Sequence, residues 1–272
     1  VLIGTIFYRK QRIVQDEKRG LFDREKAEKL IRRQEELSDI TGNPCMLDVE
    51  GSTSQALERY IDFAADATDA PLLLGGPTFE VRRSGLKQVE EAGLAGRVVY
   101  NSLMPGCGAE EFRRIRDAGV ESAVLLAYNV TDLTPQGRVE RVTELLGSAR
   151  EHGLEKPLLD TFVMDIPSLG IAFRALTALK SDLGLPVGCG PHNAVGLWKG
   201  LRKKMGMRSV RSIVASVNAF AAAAGADFIL YGPIEAAGVV FPAVAMVDAA
   251  YALPNIQQGA KLSRSHPLFR IA

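Results

Sequence analysis

The amino-acid sequence predicts an α/β chain folded as a single (β/α)8 barrel over residues 1–272, and three observations predict it. Eight short runs are continuous in Val, Ile, Leu or Ala without polar alternation, the pattern of strands buried on both faces of a parallel sheet. Successive runs start roughly 25–45 residues apart, the length of a strand–helix unit. Each run is followed by a turn rich in Gly, Pro or Asn and then by a longer amphipathic segment. Eight such units are the number that closes a barrel.

The predicted strands are Val1–Phe7, Pro44–Val49, Pro71–Leu74, Val98–Tyr100, Ala123–Tyr128, Pro157–Val163, Pro186–Gly188 and Asp227–Tyr231. Between the first two, Asp23 caps a helix over Phe22–Thr41 that places Ala27, Leu30, Ile31, Leu37 and Ile40 on one face. Ser52-Thr53-Ser54 opens the next, with Leu57, Tyr60, Ile61 and Ala64 inward. Thr134-Pro135 is a cap followed by Pro at the first helical position, where its missing N–H costs nothing. Ser168 is expected to cap Leu169–Leu183, and Ala236–Pro254, interrupted by Pro242 and Asp248, reads as a buried helix and not as a membrane span. Glycines just past the helices, such as Gly42 and Gly184, suit left-handed C-terminal caps.

Composition excludes several function classes. Lys+Arg 33 against Asp+Glu 32 leaves a net charge of +1, too little to gather nucleic acid or an anionic membrane. The odd count of three cysteines makes no disulfide framework and suits a reducing, cytoplasmic interior. No signal peptide is visible, and the chain opens without Met inside an apolar run, as though some native N-terminus were missing.

In a barrel the segments after the strands share one rim, where active sites are built. Here that rim has no Walker loop, no His-Glu-x-x-His pair and no strand-end Lys. It offers Asp48, Glu50, Asn101, Asn129, Asp160 and Asn193 instead, a set suited to the donor and acceptor edge of a pterin or purine. One or two of these are expected only to cap helices. Cys189-x-x-His192 is weighed as a metal site and set aside, because Cys45 lies at the opposite end of its strand; Cys189 reads as a small packed thiol. Gly188 and Gly190, with Gly232, permit a tight turn or close backbone approach to a ligand. The basic stretches Arg9-Lys10-Gln11-Arg12, Arg82-Arg83 and Arg202-Lys203-Lys204 read as solvated faces, with an acidic cofactor tail or acidic partner as the functional alternative.

Longer strings carry a resemblance. Gly4-Thr-Ile-Phe-Tyr-Arg-Lys10, Arg33-Gln-Glu-Glu-Leu-Ser-Asp39, Thr41-Gly-Asn-Pro-Cys45, Pro186-Val-Gly-Cys-Gly-Pro-His-Asn-Ala194 and Gly225-Ala-Asp-Phe-Ile-Leu-Tyr-Gly-Pro-Ile-Glu-Ala-Ala237 resemble the family of the tetrahydromethanopterin S-methyltransferase H subunits, nearly end to end. That family is similar to a wider group of barrel methyltransferases that pass a methyl group between a reduced pterin and the cobalt of a corrinoid protein.

The resemblance implies a rim that holds the pterin and a cobalamin carried by a separate corrinoid-binding partner, since this chain has no B12-binding domain. It implies that Asn193 hydrogen-bonds the methylated ring nitrogen, and that Asn101 and Asp160 hold the pterin ring. Where the wider group has an Asp after the third strand this chain has Gly75-Gly76, and Asp48 or Glu50 on the neighbouring strand are the candidates to replace it. The expected activity is methyl transfer between methylcobalamin and N5 of tetrahydrofolate, by a homodimer. The alternative is a tetrahydromethanopterin-specific component that mainly docks the corrinoid protein of a larger membrane-bound complex. A synthase-type pterin barrel is the runner-up among enzymes.

Overall fold

The computed structural model describes residues 1–271. The eight strands are Leu2–Ile6 (β1), Cys45–Glu50 (β2), Leu72–Gly75 (β3), Val98–Leu103 (β4), Ser122–Leu126 (β5), Lys156–Asp160 (β6), Val187–Cys189 (β7) and Phe228–Pro233 (β8). Each pairs in parallel with its neighbours, and β8 returns to pair with β1, so the sheet closes into the barrel that the sequence predicts.

Side-chain direction alternates along every strand. One phase points inward: Ile3, Met46, Leu73, Val99, Val124, Phe228 and Leu230 fill the interior, with Leu158 against them. The other phase, including Ile6, Leu47, Leu72, Tyr100, Leu125 and Leu159, meets the helices. Two residues beyond the inner plug, in the same inward phase, stand Thr5, Asp48, Gly75, Asn101, Leu126, Asp160 and Gly232. The interior thus changes from apolar to polar within one layer as it reaches the C-terminal rim.

The helices follow the sequence signals with one shift. Asp23, Thr53 and Thr134 cap Arg24–Thr41, Ser54–Ala67 and Pro135–Glu151 as expected, each accepting from a backbone N–H three residues on. Asp165, not Ser168, caps the helix Ile166–Leu183; Ser168 stands at the third helical position and closes a reciprocal capping box. Gly42 and Gly184 end their helices in the left-handed region, at φ 76° and 61°.

The helix Ala237–Gln257 is only partly buried, a correction to the sequence reading. Ala237, Val240, Phe241, Val244 and Ala245 face the barrel while Met246, Tyr251 and Leu253 stand exposed. With the turn before it, this stretch is long and apolar enough to cross a membrane.

A feature the sequence did not announce is a small antiparallel hairpin, Val14–Asp16 with Leu21–Phe22, in the loop after β1. Strands this short leave no readable period. The hairpin is held by aromatics: Phe7 stacks on Tyr60 with centroids 4.1 Å apart, and Phe22 meets Phe7 edge-on at 4.6 Å.

Candidate functional site

Asp48 is the centre of the rim on the β1–β4 side. It is almost fully buried and accepts from Thr5 Oγ1 at 2.8 Å and from Asn101 Nδ2 at 3.1 Å. Burial raises its carboxyl above the usual range, and these two bonds offset part of that rise. Glu50 follows in the same phase at the mouth. Its carboxyl is pushed up further, first by loss of solvent and then by the charge of Asp48, with Arg82 pulling the other way. Among the described residues Glu50 accepts no hydrogen bond, so its oxygens are free to meet a ligand.

The glycine at the end of β3 is explained by this carboxyl. A Cβ on Gly75 would stand 2.3 Å from Glu50 Oε1 and 3.3 Å from Asp48 Oδ1. A side chain at position 75 would displace the Glu50 carboxylate from its observed position, so Gly75 leaves open the space that this carboxylate occupies. Arg82 fixes the next loop, donating to the Gly76 carbonyl at 2.7 Å, to Tyr100 Oη at 2.7 Å and to Glu111 at 3.0 Å. Reading Arg82 as part of a solvated basic face is therefore corrected: it is buried and paired. A cleft of about 620 Å³ opens beside Glu50 between the loops after β1, β2 and β3, lined by Tyr8, Arg9, Lys18, Thr53 and Gly76 among others.

Asp160 is the centre of the opposite side. It is buried at the end of β6, and loss of solvent pushes its carboxyl up to about 6 despite a 2.7 Å bond from Phe162 N and the nearby Arg138. Arg138, buried on the helix Pro135–Glu151, donates to the carbonyls of Thr161 and Phe162 and clamps this loop as Arg82 clamps the other. Asn193 lies on the first turn of the short helix His192–Leu197 after β7, exposed, and donates to Val163 O at 3.1 Å. Asp160 and Asn193 are thus both tied to residues 161–163, while Asp48 and Asn101 are bonded directly to each other.

The remaining sequence candidates have structural duties. Asn129 donates to Gly137 O and accepts from Thr131 and Asp132, folding its own loop, as one or two of the set were expected to do. Gly188, expected at the ligand, has a packing role in the barrel. A Cβ there would stand 2.1 Å from Phe228 O and 2.7 Å from its ring, so its missing side chain makes room for the interior Phe228. Gly190 lies at the mouth, where a Cβ would touch His192 and Asn193 at 3.4–3.5 Å. His192 hydrogen-bonds the Leu230 carbonyl at 2.8 Å and its ring covers Gly232. Cys189 is fully buried on the outer face of β7.

Sequence reasoning missed Thr5 and Arg138. Thr5 was within reach, since it stands two residues beyond interior Ile3 as Asp48 does beyond Met46. Nothing local marks Arg138, whose partners lie 23 and 24 residues away.

Comparison with known proteins decides the family. Residues 1–262 match the family described as Tetrahydromethanopterin S-methyltransferase MtrH subunit. The chain belongs to this family. The tetrahydromethanopterin S-methyltransferase H subunit of Methanopyrus kandleri is 40% identical over 280 residues, covering 95% of this chain and 87% of that one. The H subunit of a putative mtx methyltransferase from Methanosarcina mazei is 39% identical over 259 residues, covering 91% and 84%. Among solved structures, dihydropteroate synthase from Coxiella burnetii superposes with a TM-score of 0.64 at 13% identity, covering 92% of each chain. The synthase from Yersinia pestis gives 0.63 at 15%, covering 92% of this chain and 93% of that one. These two likenesses concern the barrel alone. Family membership makes the chain a methyltransferase-family subunit.

Proposed function

We propose that this chain is the pterin-binding methyltransferase subunit of a multi-subunit system and moves a methyl group between N5 of a tetrahydromethanopterin-type pterin and a corrinoid carried by a partner. The names of the relatives favour tetrahydromethanopterin over the tetrahydrofolate expected from sequence. The observation that carries the reading is the polar layer one step above the apolar plug, with Asp48 and Asn101 bonded on one side and Asp160 and Asn193 tied to one loop on the other. A flat heterocycle with donors along one edge and a tertiary or secondary amine at the other matches buried acceptors on one side and a neutral carboxamide on the other.

The residues divide the work by charge. Asp160, ionised at neutral pH, accepts from the 2-amino and N3–H edge. Asn101, held by Asp48, is free to use its carbonyl oxygen as an acceptor toward the ring. Glu50 takes the place of a β3 acid. Asn193 addresses N5: a carboxamide accepts from N5–H when the pterin is unmethylated and donates to a methylated nitrogen, without becoming charged. The corrinoid, when its carrier is docked, supplies the cobalt that exchanges the methyl group. The chain contributes position, holding N5 toward the open mouth. The three free cysteines suit a reducing, cytoplasmic setting. The exposed apolar side chains of Phe220, Met246, Tyr251 and Leu253, on two adjacent helices, support a homodimer.

The test is to incubate the purified chain with methylcobalamin and either pterin and to follow the cobalamin absorbance. Demethylation is expected with tetrahydromethanopterin and much less with tetrahydrofolate. Asn193→Ala is expected to lower the rate by about 100-fold with little loss of pterin affinity. Turnover without a pterin requirement, or an unaltered Asn193→Ala enzyme, contradicts the proposal.

A further inference from the structure

The basic run Arg202-Lys203-Lys204 plays no part in the site described above. It belongs to a longer bias: residues 184–226 contain Lys199, Arg202, Lys203, Lys204, Arg208 and Arg211 and no Asp or Glu. Because the whole chain is only +1, the rest of it is net acidic, and this one segment concentrates the positive field. All six cations are exposed, and among the described residues none enters an ion pair.

The same segment carries an apolar groove. The helix Lys199–Ala223 is broken at Gly206, whose φ of 79° and ψ of 175° are not helical, and the chain turns there so that the two halves enclose a slot. The slot measures about 510 Å³ and is lined by Val195, Trp198, Leu201, Met207, Val214 and Pro233, with Lys199 and Arg202 at its edge. Trp198 is 45% exposed, Leu197 56% and Met205 64%, an unusual cost for three large apolar side chains side by side with charge.

We propose that this groove and its cationic border dock an acidic amphipathic helix presented by a partner polypeptide. A helix lays side chains spaced three or four apart into such a slot, and acidic residues on its flanks meet the six cations. A second copy of this chain is a poor occupant, because a two-fold contact sets this cationic border against itself. A bilayer is a poor occupant as well, since Leu201, Val195 and Val214 line a recess that a flat surface does not enter. His192 and Val195 of the groove stand on the same short helix as Asn193, so the occupant rests on the element that carries the proposed N5 contact. That the partner is the corrinoid carrier or its scaffold rests on the methyl-transfer reading; the surface itself does not.

Trp198 is the chain's one tryptophan, so its fluorescence reports the groove directly. Three synthetic peptides about five turns long serve as probes: one with a Leu face and Glu flanks, one with the same face and Lys flanks, and one with Glu flanks and no apolar face. The first is expected to shift Trp198 emission to the blue and to bind at least tenfold more tightly than either of the others. Raising salt from about 50 to about 500 mM should weaken it by about tenfold, and R202E/K203E should do the same while leaving turnover with free methylcobalamin unchanged. Equal binding of Glu and Lys peptides, no shift at about 1 mM peptide, or a shift produced instead by anionic vesicles or by raising the concentration of the chain overturns the proposal. The assay needs no pterin, so its failure is separate from failure of the methyl-transfer reading.

Discussion

Asp160 sets function against stability within one side chain. Its folded pKa of about 6 lies above the unfolded value of 3.8, so the folded state holds its proton more tightly. The stability this group contributes is therefore present below about pH 4 and lost as the pH rises through 6. Asp160→Asn removes that titration and can still accept from Phe162 N. It should make the chain about 2–3 kcal/mol more stable at pH 8 and leave stability at pH 4 nearly unchanged, as read by urea denaturation at the two pH values. Pterin affinity should move oppositely, falling about tenfold or more in Asp160→Asn, and in the parent chain below pH 6 as the acceptor is protonated. A variant neither stabilised at pH 8 nor weakened in binding would show that Asp160 is an ordinary solvated acid. Asp48 and Glu50 follow the same logic on the other side, where Gly75 is the residue that lets two acids lie together.

At the level of elements, one loop and one strand contact govern how well the rim is formed. The loop after β6 reaches both Asp160 and Asn193, and it is clamped by Arg138 through two carbonyls. Arg138→Met keeps much of the buried stem and removes the clamp. Amide exchange at residues 161–163 should rise and pterin affinity should fall severalfold, with the rest of the barrel protected as before. Protection that collapses throughout the barrel would instead make Arg138 a general core residue. Gly188→Ala tests β7 against β8. Its Cβ meets backbone at Phe228 and not the flexible end of a side chain, so strands must part, and a loss of about 1–3 kcal/mol in stability is expected. If Gly188→Ala keeps full stability but loses pterin binding, the glycine belongs to the ligand after all.

At the scale of the molecule, the outer surface is divided. The exposed apolar side chains Met246, Tyr251 and Leu253 stand on the helix Ala237–Gln257, whose one charged residue is Asp248, while the elbow at Gly206 is apolar and strongly basic. The homodimer of the proposed function draws on the first, and the proposed partner helix on the second. Leu253→Glu should convert a dimer to a monomer in light scattering without altering peptide binding at Trp198. A parent chain that is monomeric at micromolar concentration would remove the dimer from this picture.

Much of this was legible in residue order alone. The eight strands, the caps at Asp23, Thr53 and Thr134 and the closed barrel follow from hydrophobic period and helix-start chemistry, which are local and act within a few residues. The placement of Asp48, Asn101 and Asp160 at one rim follows from the same period, because each stands two residues after an interior apolar side chain. What residue order left open depends on contacts across the barrel. That Gly75 is empty for Glu50, that Gly188 is empty for Phe228, that Arg82 is buried, and that Arg138 and Asn193 hold one loop are decided between strands and helices tens of residues apart in the chain. Local pattern chooses the element and the direction in which a side chain points; only closure of the sheet chooses what that side chain meets, because burial and pairing are properties of the space between elements.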